Sequence, residues 1–306
     1  MGLLSNVQNG ECCTLRARNL IGRSRTCDLK LSARMVSGEH ATLWWKDKSW
    51  VIRDLSSRNG TFVDGLRIEP GLAVPLRVGA ILAFGDNREQ WRLASAEPPS
   101  AQAVSLDDGQ TVSAIGELLG IPDADTPMAT IYRNPAGLWV VDQDDAERPV
   151  HDRQELLIGE QLWRLHLPEP IGGTWDLDAQ TPAVEVLSLH FAVSLDEEHV
   201  ELEARFGNRT YDLKSRAHHY LLLTLARQRL KDSENEDLPR SAHGWVYQDD
   251  LLKMLNVDNN KLNVDIFRAR KQFAAAGVEG AARIVERRTT TRQLRIGIGD
   301  LHIRQL

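Results

Sequence analysis

The sequence reads as a multidomain protein: an all-β sandwich, a second small β-rich region, and an α+β domain. Three observations carry that reading. At 306 residues the chain exceeds what one small core usually supports. Residues 14–93 consist of short β-branched and aromatic runs separated by Gly, Asp, Asn and Ser clusters, the pattern of a sandwich. Beyond residue 215 the apolar spacing changes from every second residue to every third or fourth, the mark of amphipathic helices.

Charge divides the chain at the same places. Residues 1–97 carry 14 basic and 10 acidic side chains, residues 98–170 carry 4 and 13, and residues 171–306 carry 19 and 20. The middle is therefore an acidic block, and the boundaries expected are 1–97, 98–170 and 171–306. Within the last segment, residues 261–306 hold 10 basic and 4 acidic side chains, a local excess that suits a polyanionic partner.

In the first region the candidate strands are Cys13–Arg16, Leu20–Gly22, His40–Lys46, Ser49–Asp54, Thr61–Val63, Ala80–Phe84 and Gln90–Leu93. A Pro- and Ala-rich linker follows at residues 95–103. The acidic block then echoes the first region. Ala129-Thr-Ile-Tyr132 before Leu138–Asp142 parallels Ala41-Thr-Leu-Trp44 before Ser49–Ile52, and Ile158-Gly159 before Trp163-Arg-Leu165 parallels Phe84-Gly85 before Trp91-Arg-Leu93. Order and spacing fit a duplication as well as they fit independent β runs. A second linker is expected at residues 168–174. In the last region Val186–Val193, His199–Phe206 and Arg209–Leu213 alternate like strands. Ser215 is a candidate cap for a first helix around Tyr220–Leu225, Asp232–Ala242 reads as a polar acidic loop, and Gln248–Leu255 and Lys261–Ala276 read as two further helices. Ala282–Glu286 and Gln293–Ile298 then flank a basic tip as a hairpin would.

Three loops of the first region hold what a phosphate reader needs: a guanidinium, hydroxyl donors, and an amide to fix a peptide main chain. They are Gly22-Arg23-Ser24, Ser37-Gly38-Glu39-His40 and Ser56-Ser57-Arg58-Asn59-Gly60-Thr61. In that order and at those intervals they resemble the forkhead-associated (FHA) family over residues 1 to about 97. The resemblance implies a phosphothreonine-binding sandwich in which Arg23 and Ser37 meet the phosphate and Asn59 bonds the ligand backbone. Ser24 and Gly38 fall in the same loops, Arg58 contacts either phosphate or flanking residues, and Gly22, His40 and Gly60 support the site. The acidic block has Leu119-Gly-Ile-Pro122 and Met128 where the first region has Arg23 and His40. Read as a degenerate FHA-like repeat, it lacks the phosphate chemistry and serves as spacer or packing platform.

The order of strands, three helices and hairpin over residues 184–298 resembles the winged helix-turn-helix output domain of two-component response regulators. Gly244–Leu251 matches the entry to the family's second helix and Leu262–Phe273 its recognition helix. Leu262, Ile266, Ala269, Phe273 and Ala276 share one stripe, which puts Val264, Arg268 and Lys271 on the opposite side. The resemblance gives that side to the major groove of double-stranded DNA and Arg287, Arg288 and Arg292 of the hairpin to the adjacent backbone. Winged helices also dock proteins. Phe267, an aromatic residue near the face expected to be exposed, fits a thymine methyl or a protein partner.

No catalytic constellation is present in the sequence: no nucleotide-binding Gly-rich loop, no Cys/His spacing for metal and no nucleophile elbow. His218-His219 read as core or surface residues, and Asp144-Asp145 and Asp249-Asp250 as solvated. The chain is thus expected to be no enzyme and to need no cofactor or metal. Cys12, Cys13 and Cys27, odd in number, suit a reducing compartment. With no apolar run long enough for a bilayer and no signal-like start, a cytoplasmic protein without membrane association is expected. Its expected partners are a phosphothreonine-containing protein or kinase, DNA, and in one arrangement a second copy of itself. The function expected is a phosphothreonine-dependent transcriptional regulator, the alternative a phosphorylation-dependent adaptor.

Overall fold

The computed structural model describes residues 2–86, 88–134, 136–143, 146–168 and 182–306. These form two compact units, one built on residues 2–102 with 166–168, the other on residues 103–165 with 182–306. The acidic block thus belongs with the C-terminal region. The expected 170/171 boundary and most of the second linker lie outside the described residues, as do Asp144 and Asp145.

The first unit contains β1 (Leu3–Asn6), β2 (Cys12–Thr14), β3 (Arg18–Gly22), β4 (Leu29–Lys30), β5 (Ala41–Lys46), β6 (Ser49–Asp54), β7 (Thr61–Val63), β8 (Leu66–Arg67), β9 (Ala73–Leu76), β10 (Ile81–Phe84) and β11 (Gln90–Ser95). They make two sheets, ordered β2-β1-β11-β10-β7-β8 and β4-β3-β5-β6-β9. Alternation along β11 sends Trp91 and Leu93 inward and Arg92 outward. Opposite them Ile21, Leu43, Trp50 and Ile52 complete a core with Leu4 and Leu82. Strands β1, β4, β8 and β9 have no counterpart among the expected runs. They are two to four residues long, and β9 carries Pro75, tolerated because β9 is an edge strand.

In the second unit the acidic block supplies β12 (Gln102–Ser105), β13 (Thr111–Ser113), β14 (Leu119–Ile121), β15 (Ala129–Arg133), β16 (Trp139–Gln143), β17 (Ala146–Pro149), β18 (Glu155–Ile158) and β19 (Gln161–His166). Their sheets, β13-β12-β19-β18 and β14-β15-β16-β17, follow the same orders as β2-β1-β11-β10 and β3-β5-β6-β9. Register agrees too. Ile121 faces Ala129 as Ile21 faces Ala41, and Leu156 faces Trp163 as Leu82 faces Trp91. Thr130–Asp142 and Tyr132–Val140 then stand where Thr42–Arg53 and Trp44–Val51 stand.

The C-terminal region begins with β20 (Ser188–Val193), β21 (Val200–Phe206) and β22 (Arg209–Ser215), followed by α1 (His219–Ser233), β23 (Val246–Tyr247), α2 (Gln248–Leu255), α3 (Asn259–Ala275), β24 (Val285–Arg288), β25 (Gln293–Ile296) and β26 (Asp300–Gln305). One sheet runs β22-β21-β20-β26 and the other β23-β25-β24. The Leu262, Ile266, Ala269 and Phe273 stripe of α3 enters the core with Leu222, Leu225, Leu251, Ile284 and Leu294. Asp258 caps α3 by accepting the Lys261 N–H at 2.7 Å. Ser215 caps no helix. It ends β22, and α1 starts only at His219, without a side-chain cap. The hairpin begins at Val285, after a short 3₁₀ turn at Ala281–Ile284. Among the described residues no helix is long and apolar enough to cross a membrane.

His218 and His219 anchor α1 to α3: Nε2 of each lies 2.8 Å from the Gln272 Oε1, which accepts from both, and the Gln272 amide donates to the Leu213 carbonyl. Burial pushes the His219 pKa down to about 4, with the Gln272 bond opposing it. His219 is therefore neutral in the fold, whereas the unfolded chain takes up a proton below about pH 6.5. Stability contributed by this site is intact above pH 6.5 and drains away as pH falls toward 4. The C-terminal region should unfold about 2 kcal/mol more easily at pH 5 than at pH 7.5 by urea titration, and His219→Gln should flatten that dependence; an unchanged slope in the variant would assign it elsewhere.

Candidate functional site: the loop cluster of the N-terminal sandwich

Gly22 closes β3 where two loops must touch. A Cβ there would stand 2.3 Å from the Gly38 carbonyl oxygen, so only glycine lets the Arg23 and Ser37 loops meet. They are stitched together by Arg23 N–H to Ser37 O and Ser24 N–H to Gly38 O, both 2.9 Å. Arg23 is exposed, and its Nε donates to the Val36 carbonyl at 3.3 Å, which aims the guanidinium along the loop. The Ser24 hydroxyl is shared with Thr26 at 2.8 Å.

His40 joins these loops to the third. Its ring is wholly buried and sits edge-on to Phe84. Nδ1 accepts the Ser37 N–H at 3.0 Å, which leaves the proton on Nε2, 3.1 Å from the Gly60 carbonyl. Burial pushes the His40 pKa down, against the Gly60 bond and the nearby Asp54. The imidazole thus serves as a neutral two-ended brace. Gly60 holds φ at +89°, and its carbonyl also accepts the Gly85 N–H at 2.9 Å.

Asp54, 1% exposed, shapes the loop from below. It accepts the Ser57 N–H at 2.8 Å and the Ser57 and Thr61 hydroxyls at 2.6 Å each, while Ser57 Oγ accepts the Gly60 N–H at 3.0 Å. Burial works to raise the Asp54 pKa, but the Ser57 and Thr61 bonds outweigh it and hold the carboxyl below its ordinary value. Above the loop, Ser37 Oγ accepts the Arg58 N–H at 3.1 Å, and Asn59 Nδ2 donates to the Met35 carbonyl at 2.8 Å. Arg23, Ser37 and Arg58 are thereby linked through direct bonds at one end of the sandwich, Asn59 joins them through Met35 of the Ser37 loop, and Arg58 and Gly38 are exposed.

Asp54, Ser57, Thr61, Met35 and Gly85 take part without having been singled out for these roles in the sequence. Asp54-x-x-Ser57 before a Gly is a local signal, a carboxylate capping its own turn. Gly85 shows only in the fold: a Cβ there would meet the Met35 carbonyl oxygen at 2.3 Å, fifty residues away in the chain.

The six residues assigned to a DNA face lie in the second unit, where Arg268, Arg288 and Arg292 are exposed as expected and Val264, Lys271 and Arg287 are not. Val264 is half-buried. Arg268 and Lys271 point into the acidic block, Arg268 donating to the Asp125 carbonyl at 3.4 Å and Lys271 to the Ala124 carbonyl at 2.9 Å, with the Asp125 carboxylate 3.3 Å away. Arg287 is buried, donating to Asn263 Oδ1 at 2.8 Å and standing 3.7 Å from Asp142. Arg288 lies 3.9 Å over the Trp245 ring, and Arg292 is 3.7 Å from Asp249. Phe267 is 2% exposed and packs with Leu118, Tyr132, Val140 and Ala282. The reason is tertiary: the acidic block packs against α3 on a side away from the main core.

The FHA-domain family model matches residues 19–85, which contain every loop just described. An FHA domain therefore occupies the N-terminal unit. The curated protein FhaB of Mycobacterium tuberculosis, an FHA domain-containing protein, is 35% identical over 57 residues, 19% of this chain and 37% of that protein. The matched stretch is thus well under half of the relative's length. Among solved structures, the FHA domain of CT664 from Chlamydia trachomatis is 27% identical over 31% of this chain and 96% of that one, with a TM-score of 0.28. Mycobacterium tuberculosis EmbR, solved with a low-affinity phosphopeptide, is 29% identical over 31% of this chain and 24% of that one, also with a TM-score of 0.28.

Asp54→Ala removes the acceptor of three buried bonds and should lower the stability of the N-terminal unit by about 3 kcal/mol, read by urea unfolding. Asp54→Asn, which keeps one acceptor oxygen, should cost less. Equal losses in the two variants would mean that packing, rather than the carboxylate, holds the turn.

Proposed function

We propose that the chain is a phosphothreonine-dependent regulator whose FHA domain docks on a protein phosphorylated by a Ser/Thr kinase, and that it is not an enzyme. The observation that carries this reading is the joining of Arg23, Ser37 and Asn59, from three loops, around the neutral His40. A phosphate set among them takes charge-assisted bonds from the Arg23 guanidinium and the Ser37 hydroxyl proton, since Ser37 Oγ already accepts from Arg58. Asn59 spends its amide nitrogen on the Met35 carbonyl and, at 3.9 Å, the Met35 sulfur, and offers its oxygen to the N–H of a peptide main chain. The phosphothreonine belongs to the kinase, to another protein or to a second copy of this chain, in which case binding makes oligomers.

For the output we infer a winged helix in the C-terminal region, formed by α1, α2, α3 and the β24–β25 hairpin, that binds double-stranded DNA. Its support is the element order and the basic excess of residues 261–306. One observation favours a second reading, a phosphorylation-dependent adaptor: the outer face of α3 already contacts protein.

A phosphothreonine peptide library should bind the full chain, and its unphosphorylated twin should not. Arg23→Ala should weaken binding about 10- to 100-fold, measured by fluorescence anisotropy. Phosphate dependence that survives Arg23→Ala would end the phosphate-reading assignment.

A further inference from the structure

The sheet β14-β15-β16-β17 is covered on both faces. Leu119, Ile121, Ile131 and Val141 are buried on one. The other presents Gly120, Thr130, Tyr132, Val140 and Asp142 to α3. Gly120 permits the approach: a Cβ there would come within 2.7 Å of the Phe267 ring. Phe267 packs against Leu118, Tyr132 and Val140. Beside it the Arg270 guanidinium stacks 4.6 Å over the Tyr132 ring and reaches Asp142 at 3.7 Å, while Arg287 reaches the same carboxylate at 3.7 Å. Both arginine side chains are at most 3% exposed, and Asp142 is 10% exposed. At the next turn of α3, Lys271 and Arg268 bind the Ala124–Asp125 segment.

We propose that the acidic block is a built-in cap on α3, an autoinhibitory contact that occupies with carboxylates and carbonyl oxygens the basic face by which α3 would meet the phosphates of a DNA duplex. The proposal rests on the DNA-binding reading of the C-terminal region. Its carrier is Asp142, which in the corresponding register of the first sandwich is Arg53, an exposed residue. There the outer face of the sheet is basic; here it carries the one carboxylate that two buried arginines share. Cap and duplex compete for the same cations, so the contact is strong only while the polyanion is absent.

The cap can be locked reversibly. A Cβ built on Gly116 lies 3.5 Å from the Ala274 Cβ, inside the range of a disulfide, although the Gly116 φ of +62° strains a cysteine placed there. In the full chain with Cys12, Cys13 and Cys27 replaced by serine, Gly116→Cys with Ala274→Cys can therefore be oxidised to close the cap and reduced to free it, so that one preparation serves as its own folding control. The probe is a mixed-sequence duplex of about 30 base pairs at about 50 mM salt, followed by anisotropy. The oxidised form should bind at least tenfold more weakly than the reduced form, and Asp142→Arg should bind at least tenfold more tightly than the parent chain. Hydrogen exchange over residues 262–271 should rise in Asp142→Arg. Equal, measurable binding by oxidised and reduced forms would overturn the cap and leave the DNA reading standing. Absent binding in every form, with exchange showing α3 uncovered in Asp142→Arg, would sink the DNA reading and the cap with it. An unchanged exchange pattern in that variant would show that Asp142 holds nothing closed, and would overturn the proposal directly.

Discussion

A neutral imidazole buried between loops is the constraint on which the N-terminal site depends. His40 can brace both sides only while it is uncharged, because Nδ1 must accept from Ser37 as Nε2 donates to Gly60. Protonation would turn the accepting nitrogen into a donor aimed at another donor. Desolvation keeps that from happening at neutral pH. Two further arrangements lean on the brace: Gly22 lets the first two loops touch, and Asp54 gathers Ser57, Thr61 and, through Ser57, Gly60 into the third. The exposed Arg23 and Arg58 are positioned by this buried scaffold rather than by contacts of their own with each other.

The same strand order appears twice in the chain with opposite surface chemistry. The first sandwich spends its loops on a polar cluster and leaves its outer sheet face exposed at Arg53. In the acidic block the equivalent of Gly22 is Pro122 and of His40 is Met128, so no brace can form. Its outer sheet face instead carries Tyr132, Val140 and Asp142 against α3. A single register position, Arg53 in one copy and Asp142 in the other, marks the change from a solvated face to an interface.

Much of the fold was legible in the residues. The loop cluster could be read because its members lie within forty residues and come from short segments of unusual composition. The buried stripe of α3 could be read because Leu262, Ile266, Ala269 and Phe273 obey helical spacing. The start of α1 could not, since Ser215 looks like a cap yet is spent finishing β22. Strand β26 was missed because its partner is β20, more than a hundred residues earlier, to which it runs parallel.

The half-burial of Val264 and Lys271, beside an Arg268 that stays exposed, is where the structure departs furthest from helical spacing, and hints of it stand in the sequence: Phe267 on a face expected to be polar, and an acidic block complementary to a basic C-terminus. Neither hint says what touches what. Helical periodicity determines which side chains share a side of α3, because that depends only on 3.6 residues per turn. Likewise the spacing of Arg23, Ser37, His40 and Asn59 determined the site class, because loop chemistry is local. What covers the second side of α3 was decided by the tertiary structure alone. The partners Asp125 and Asp142 lie well over a hundred residues away in the chain, and a carboxylate that is solvated in one packing is, in another, the counter-charge of two buried arginines.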